Sequence, residues 1–101
     1  MTFDDLQQRT ATHPHVAVYL TLPGWGPCQA VRPWLEALFD DPRWRWEAID
    51  SSRYPHVGGQ LLVFTHPTLL LFVDGREAGH FSRVLRRRDV EPAKLPFDTT
   101  D

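Results

Sequence analysis

A single cysteine at a junction between a loop and a helix is the residue best placed to do chemistry in this chain. Cys28 is the only cysteine among the 101 residues, and it follows a run of turn-forming residues at 23–27. The apolar segment before that run predicts a strand, and Pro27 is typical of a first helical turn, where a missing N–H removes no hydrogen bond. Unpaired N–H groups and the helix dipole favour a thiolate there, so Cys28 is a candidate nucleophile.

Two interpretations of Cys28 follow from its residue type. Free cysteine is often buried, and in the first interpretation the side chain is a small apolar filler beneath the loop. In the second, the thiol is accessible and forms a mixed disulfide with a low-molecular-weight thiol or a client protein. One cysteine cannot form an intrachain disulfide, and it fits a reducing compartment.

The segments on either side of Cys28 predict alternating helices and strands. Thr2 can act as the N-cap of a first helix, which should end near Thr12 because a proline follows. Residues 15–22 are apolar on both faces, as expected of a buried central strand. Residues 28–39 carry apolar side chains at helical spacing, which predicts an amphipathic helix.

The second half of the chain predicts three more strands and little further helix. Residues 43–50 alternate charged and bulky side chains, which indicates an edge strand with one exposed face. Residues 51–60 should form turns and at most a short helix. Residues 67–73 form a buried apolar run, joined by a hairpin turn to a strand over 76–85. Two prolines beyond residue 86 predict one short helical turn or irregular structure.

Composition and charge indicate one ordinary globular domain over residues 1–101. The chain is 42% hydrophobic and 24% charged, as in typical globular domains. A net charge of −2 argues against general polyanion binding, so we do not expect a nucleic-acid partner. The acidic N-terminus lacks signal-peptide features, and no apolar run approaches about 20 residues. We therefore predict a cytoplasmic protein with no membrane attachment and no cofactor.

Two further groups of residues could bind ligands. His13 and His15 flank a proline, but no third ligand lies nearby in sequence, so we do not expect a metal site. The second group is a basic cluster: Arg83, Arg86, Arg87 and Arg88. Arg43 and Arg45 could extend it if the strands bring them together. We interpret this cluster as a solvated face, with nucleic-acid binding as the weaker alternative.

The segment around Cys28 resembles the active site of the thioredoxin family. Gly26, Pro27 and Cys28 follow a predicted strand, and Pro33 lies five residues further along the helix. The family signature is Trp-Cys-Gly-Pro-Cys, and the family also carries a proline at the place of Pro33. In this register Trp25 replaces the attacking cysteine, and only the second, resolving cysteine remains.

A second motif resembles the cis-proline strand of the same family. It begins at Pro67 and Thr68 and ends in the turn formed by Asp74 and Gly75. Two motifs in the right order are more specific than either alone. The resemblance covers about residues 15–85 and implies a three-layer thioredoxin-like α/β fold. Its mixed sheet of about four strands should have helices on both faces, with shortened terminal elements.

The resemblance also implies that dithiol exchange is lost. That reaction needs one thiolate to attack a disulfide and a second to resolve the mixed disulfide. The family's buried acid corresponds to Tyr19 and its neighbouring lysine corresponds to Trp46, so the residues that handle protons are absent too. We do not expect an enzyme; if active, the chain would be a monothiol thiol-disulfide oxidoreductase through Cys28.

The favoured hypothesis is a thioredoxin-like protein that holds a protein or peptide partner at the former active-site surface. Trp25 either protrudes as a binding residue or folds back over Pro67. His66 precedes the cis-proline position, where its imidazole either approaches Cys28 or a partner, or is a solvated loop residue. The binding set is Trp25, Gly26, Pro27, His66, Pro67 and Thr68.

Two structural expectations accompany this hypothesis. The peptide bond between His66 and Pro67 should be cis. The face of the edge strand that carries Trp44 and Trp46 is too apolar to stay exposed. We predict that the first helix or the C-terminal tail covers it within a monomer, with a symmetric homodimer as the next alternative.

Overall fold

The computed structural model of this protein describes residues 1–98, so the predicted tail at 99–101 lies outside the described residues. The elements are α1 (Phe3–Thr12), β1 (His15–Thr21), α2 (Gly26–Leu38), β2 (Arg45–Asp50), α3 (Pro55–Gln60), β3 (Thr68–Val73), β4 (Arg76–Ser82), α4 (Arg87–Lys94) and a 3-10 turn (Leu95–Phe97). The order of helices and strands matches the prediction. No helix within residues 1–98 is long and apolar enough to cross a membrane.

The four strands form one mixed sheet in the order β2-β1-β3-β4. β1 runs parallel to β2, whereas β3 is antiparallel to both β1 and β4. The carboxyl ends of β1, β2 and β4 and the amino end of β3 therefore lie at the same end of the sheet. We call this end the Cys28 end, because α2 begins there.

Helices cover both faces of the sheet, as the three-layer prediction requires. On one face, Leu6 of α1 and Val57 of α3 pack against the sheet; on the other, Leu35 of α2 and Val90 of α4 do so. The middle residues of β1 belong alternately to the two clusters, and all of them are fully buried. The three-layer α/β arrangement and the central position of the first strand are confirmed.

Two element boundaries differ from the prediction for reasons visible in the backbone. β4 ends at Ser82 rather than at residue 85, because Arg83 has a positive φ of 70° and leaves the sheet direction. α4 runs for eight residues, longer than the single turn predicted, although Pro92 lies inside it. Pro92 and Arg88 are exposed, so water can solvate the carbonyl that the proline leaves without a donor, and buried Val90 holds the helix to the core.

The C-terminal tail covers the aromatic face of β2, while the first helix does not. Phe97 contacts the Trp44 ring with centroids 6.4 Å apart, and the Trp44 indole N–H donates to the carboxylate of Asp98 at 2.8 Å. Phe39, the C-cap of α2, packs on both tryptophans. The first-helix alternative is wrong, since α1 lies on the opposite face of the sheet. The face that carries Trp44 and Trp46 is therefore covered within one chain. The homodimer alternative was based on this face being uncovered.

The edge strand is more buried on its charged side than its alternating pattern predicts. β2 is an edge strand, as expected, but Glu47 is only 8% exposed. Arg9 of α1 and Arg45 of β2 donate to its two carboxylate oxygens at 2.9 Å and 2.6 Å. Because α1 contributes one of these arginines, local alternation alone does not reveal the burial of Glu47.

Candidate functional site

The loop after β1 turns tightly into α2. The Trp25 N–H donates to the Leu22 carbonyl at 3.2 Å, and Gly24 takes a positive φ of 75° that favours glycine. The Trp25 carbonyl accepts from Cys28 N–H at 3.0 Å and from Gln29 N–H at 3.1 Å. Trp25 is thus the N-cap of α2, with no side-chain capping bond.

Cys28 lies inside the protein. Its exposed fraction is 1%, so the thiol is closed to reagents that need direct access. The Tyr19 hydroxyl donates to the Cys28 carbonyl at 2.6 Å, which ties the first turn of α2 to the centre of β1. Burial raises the pKa of Tyr19 to about 12, so the phenol stays protonated as a donor at neutral pH.

Aromatic side chains occupy the two places that correspond to the proton-handling residues of thioredoxins. The rings of Tyr19 and Trp46 stack with centroids 5.5 Å apart and an interplanar angle of 24°. Trp46 also stacks on Phe39 at 6.0 Å. Neither side chain can exchange a proton near neutral pH, so this pair does not offer Cys28 a general base.

Trp25, Gly26 and Pro27 form the exposed tip of the site. All three residues are exposed, and the indole of Trp25 is 51% accessible. A protruding indole accounts for this exposure better than an indole folded back over the cis-proline.

The bond between His66 and Pro67 is cis, so that prediction is confirmed. Pro67 is buried, and its carbonyl accepts from the Arg83 N–H at 3.0 Å. The Thr68 hydroxyl donates to the Thr65 carbonyl at 2.8 Å and lies 3.2 Å from the Ser82 hydroxyl. These bonds connect the loop before β3 to the loop after β4.

His66 is half-buried and is not paired with the cysteine. Burial lowers the pKa of His66 below its ordinary value. Its Nε2 atom is buried and has no hydrogen-bond partner among the described residues. No hydrogen bond within residues 1–98 joins His66 to Cys28, so the structure does not bring together a thiol and an imidazole base.

A groove of about 470 Å³ lies beside Cys28 at the carboxyl ends of β1 and β2. Its lining residues are Thr21, Leu22, Pro23, Cys28, Gln29, Arg32, Ala48 and Asp50. The charged groups are already engaged: Arg32 donates to Glu36 at 2.6 Å, and Asp50 accepts from the backbone and hydroxyl of Ser52. Both charged side chains that line the groove thus have a partner within the described residues.

Exposed apolar side chains that sequence reasoning missed extend the site. Phe64, on the loop before β3, is 78% exposed, and Val84, on the loop after β4, is 66% exposed. Their signal in the sequence is weak, because Phe64 belongs to no periodic segment and Val84 falls within the strand predicted over 76–85. With Trp25, they give three of the four loops at the Cys28 end an exposed apolar residue.

The histidine pair and the extended basic cluster do not form. His13 Nδ1 lies 3.1 Å from the Arg9 carbonyl, whereas the ring of His15 stacks on Trp44 with centroids 5.1 Å apart. Within the described part of the chain, no three potential metal ligands group together. Arg45 begins β2 and Arg83 follows β4, so the sheet direction places them at opposite ends.

Comparisons with known proteins agree with this fold. No family model matches the chain. The chain is 38% identical over 66 residues to the thioredoxin-like protein YdfQ of Bacillus subtilis, a match over 64% of this chain and 59% of YdfQ. It therefore spans less than two thirds of the length of that curated relative.

Solved thioredoxins superpose on nearly the whole chain. A mutant thioredoxin from Halobacterium salinarum has a TM-score of 0.84 at 20% identity, covering 97% of this chain and 87% of that one. Mitochondrial thioredoxin 3 from Saccharomyces cerevisiae, in its oxidised form, has a TM-score of 0.83 at 19% identity, covering 93% and 90%. These structures show that the chain has a thioredoxin-like fold. The similarity to YdfQ supports the resemblance to the thioredoxin family, and the chain is thioredoxin-like.

Proposed function

We propose that this chain binds a protein or peptide partner through the surface formed by exposed Trp25, Gly26 and Pro27 and half-buried His66, which buried Pro67 and Thr68 support from beneath, without performing dithiol exchange. We call this the binding surface. The observation that carries the proposal is the contrast between Trp25 and Cys28. The residue at the attacking position is an indole that is 51% exposed, and the remaining cysteine is 1% exposed. Large exposed aromatic residues are frequent binding hot spots.

The surroundings of Trp25 support a binding role. Phe64 and Val84 add exposed apolar area from the two neighbouring loops at the same end of the sheet. Apolar side chains on several adjoining loops are typical of interaction surfaces. A cytoplasmic location fits the single cysteine and would place the partner in a reducing compartment.

The competing function is a monothiol that forms a mixed disulfide through Cys28. It requires an attacking or attacked sulfur that a second molecule can reach, and the burial of Cys28 works against it. Incubation with oxidised glutathione distinguishes the two functions. We expect no adduct in the intact-protein mass of the native protein, whereas stoichiometric glutathionylation without denaturant would favour the monothiol.

Peptide selection tests the binding function directly. A random peptide library displayed on phage is selected on the immobilised chain, and the most enriched peptides are measured by fluorescence polarisation. We expect Trp25→Ala to weaken binding by about tenfold or more. Leu95→Ala is the matched control, because it removes an apolar side chain that is 55% exposed but lies on the tail. Equal binding by wild type and Trp25→Ala would overturn the proposal.

A further inference from the structure

The loop after β4 places arginines beside the binding surface. The Arg83 N–H donates to the Pro67 carbonyl at 3.0 Å, which holds this loop against the cis-proline. Arg86 is the N-cap of α4, and Arg88 lies in the first turn of that helix. Because β3 and β4 pair through Thr68 and Ser82, the arginine loop lies next to the loop that carries His66.

These arginines are free to bind a partner. Arg83, Arg86 and Arg88 are exposed, and no salt bridge among the described residues involves any of them. The arginines that do contact a carboxylate are Arg9, Arg32, Arg43, Arg45 and Arg87. The chain as a whole has a net charge of −2. A group of unpaired arginines at one edge of an acidic protein therefore attracts an acidic ligand locally rather than polyanions in general.

Two residues at the Cys28 end have a backbone conformation with positive φ that favours glycine. Leu62 and Arg83 have positive φ values of 59° and 70°, a region that costs most L-residues about 1 kcal/mol or more. Both side chains are exposed, so burial in the core does not offset this cost. The third such residue, Asp74, lies in the hairpin turn at the opposite end of the sheet, where aspartate is common. The bond from the Arg83 N–H to the Pro67 carbonyl holds this backbone in place and leaves the arginine side chain exposed.

We propose that the partner segment is an acidic peptide that also carries apolar side chains; this inference rests on the proposed binding function. Its carboxylates bind Arg83, Arg86 and Arg88, and its apolar side chains pack on Val84 and Phe64. Arginine pairs with carboxylates through two parallel hydrogen bonds, which gives orientation as well as affinity. Val84 follows Arg83 directly and is 66% exposed, so charge and apolar area are presented together.

A nucleic acid would offer the same negative charge but suits this surface less well. The first turn of α4 also contains exposed Asp89, and Glu91 already pairs with Arg87 at 2.8 Å. Phosphate backbones are bound by continuous positive grooves. Phe64 can stack on a base as well as pack on a peptide, so it is the interrupted positive charge around the arginines that makes a peptide the better occupant.

Charge-matched peptides and glycine variants test this inference. The peptides selected for the binding function are scored for aspartate and glutamate, and the best one is remade with every acid replaced by its amide. We expect enrichment of acidic residues, and about tenfold weaker binding of the amide peptide at low salt. Arg83→Gly should weaken the acidic peptide by about fivefold while keeping the fold, since glycine suits this φ. Asp74→Gly is the matched control: it makes the same backbone change at the other end of the sheet and should bind as wild type does.

The outcomes separate this inference from the proposed function. Peptides that depend on Trp25 but contain no excess of acids, and bind Arg83→Gly equally well, would overturn the acidic class and leave the binding function intact. Peptides that bind Trp25→Ala as tightly as wild type would overturn both the inference and the proposed binding function. A single-stranded oligothymidine that binds in an Arg83-dependent manner, with no peptide enriched, would replace the peptide by a nucleic acid and so overturn the inference.

Discussion

The hydroxyl of Tyr19 and the carbonyl of Cys28 form a 2.6 Å hydrogen bond that joins the centre of β1 to the first turn of α2. The phenol of Tyr19 is a neutral donor at neutral pH, because burial raises its pKa to about 12. It holds the backbone of Cys28 in place and is not a base for the thiol. This bond explains how the loop before α2 is fixed to the sheet.

Tyr19→Phe should destabilise the protein by about 1–3 kcal/mol, because it removes the buried donor to the Cys28 carbonyl. Urea denaturation measures the free energy of unfolding. Tyr54→Phe removes the same atom from a half-buried tyrosine and should cost less than about 0.5 kcal/mol. Equal effects of the two substitutions would contradict a special role for the Tyr19 hydroxyl.

Cys28 should react with a thiol reagent more than about 100-fold more slowly in the native protein than in denaturant, because reaction requires local opening of α2. The absorbance of released thionitrobenzoate follows the reaction. The variant Ala30→Cys, combined with Cys28→Ser, provides an exposed thiol on the same helix. Fast native labelling of Cys28 that matches this control would refute the filler role of the thiol.

Trp25→Cys should restore an intrachain disulfide, since it recreates the spacing of two cysteines around Gly26 and Pro27 at a helix N-terminus. Oxidised glutathione accepts the two electrons, and the loss of both free thiols is counted with a thiol reagent. Ala30→Cys in the wild-type background is the control, because residues two apart on a helix face different directions. Retention of both thiols in Trp25→Cys would show that the loop no longer supports the family geometry.

Lys94→Met should destabilise the protein by about 3 kcal/mol, because it leaves the largely buried carboxylate of Asp98 without its cation. Lys94 is 5% exposed and donates to Asp98 at 2.6 Å and to Asp41 at 3.1 Å. Arg87→Met breaks an exposed pair with Glu91 and should change stability by less than about 0.5 kcal/mol. If thermal melts of the two variants agree, the tail does not depend on this buried network.

Stability should fall between pH 7 and pH 5 because of His66. Burial lowers the pKa of His66 below its ordinary value of 6.5, so the unfolded chain binds this proton more readily than the folded chain does. The contribution of neutral His66 to the free energy of unfolding is therefore complete well above pH 6.5. It is lost as the pH falls toward the pKa of His66 in the folded protein. Urea midpoints of His66→Gln should show a smaller loss over this range.

The pH range below about 4 is a reference for comparing the stabilities of wild type and His66→Gln. Hydrogen bonds from Arg43 hold the pKa of Asp41 well below its usual value of 3.8, so its contribution is lost only in stronger acid. Wild type and His66→Gln should lose stability in parallel there. If the urea midpoints of wild type and His66→Gln also fall in parallel between pH 7 and pH 5, His66 does not cause the loss of stability in that range.

The sequence by itself determined the fold class and the absence of a second cysteine. Apolar runs at 15–22 and 67–73 are long enough to identify the two central strands, and the motif positions of Cys28 and Pro67 place them at one edge of the sheet. These signals are local, because a buried strand needs apolar side chains on both faces wherever it is packed. The replacement of one cysteine by Trp25 is likewise visible in the residues alone.

Only the tertiary structure decided which of these residues face solvent. Cys28 is buried by α2 and the sheet, Glu47 by an arginine from α1, and Trp44 by Asp98, 54 positions further along the chain. The position of exposed Arg83 beside Pro67 depends in the same way on the pairing of β3 with β4. Burial and charge pairing are set by segments distant in sequence, so a periodic pattern, which records only neighbours along the chain, does not contain them.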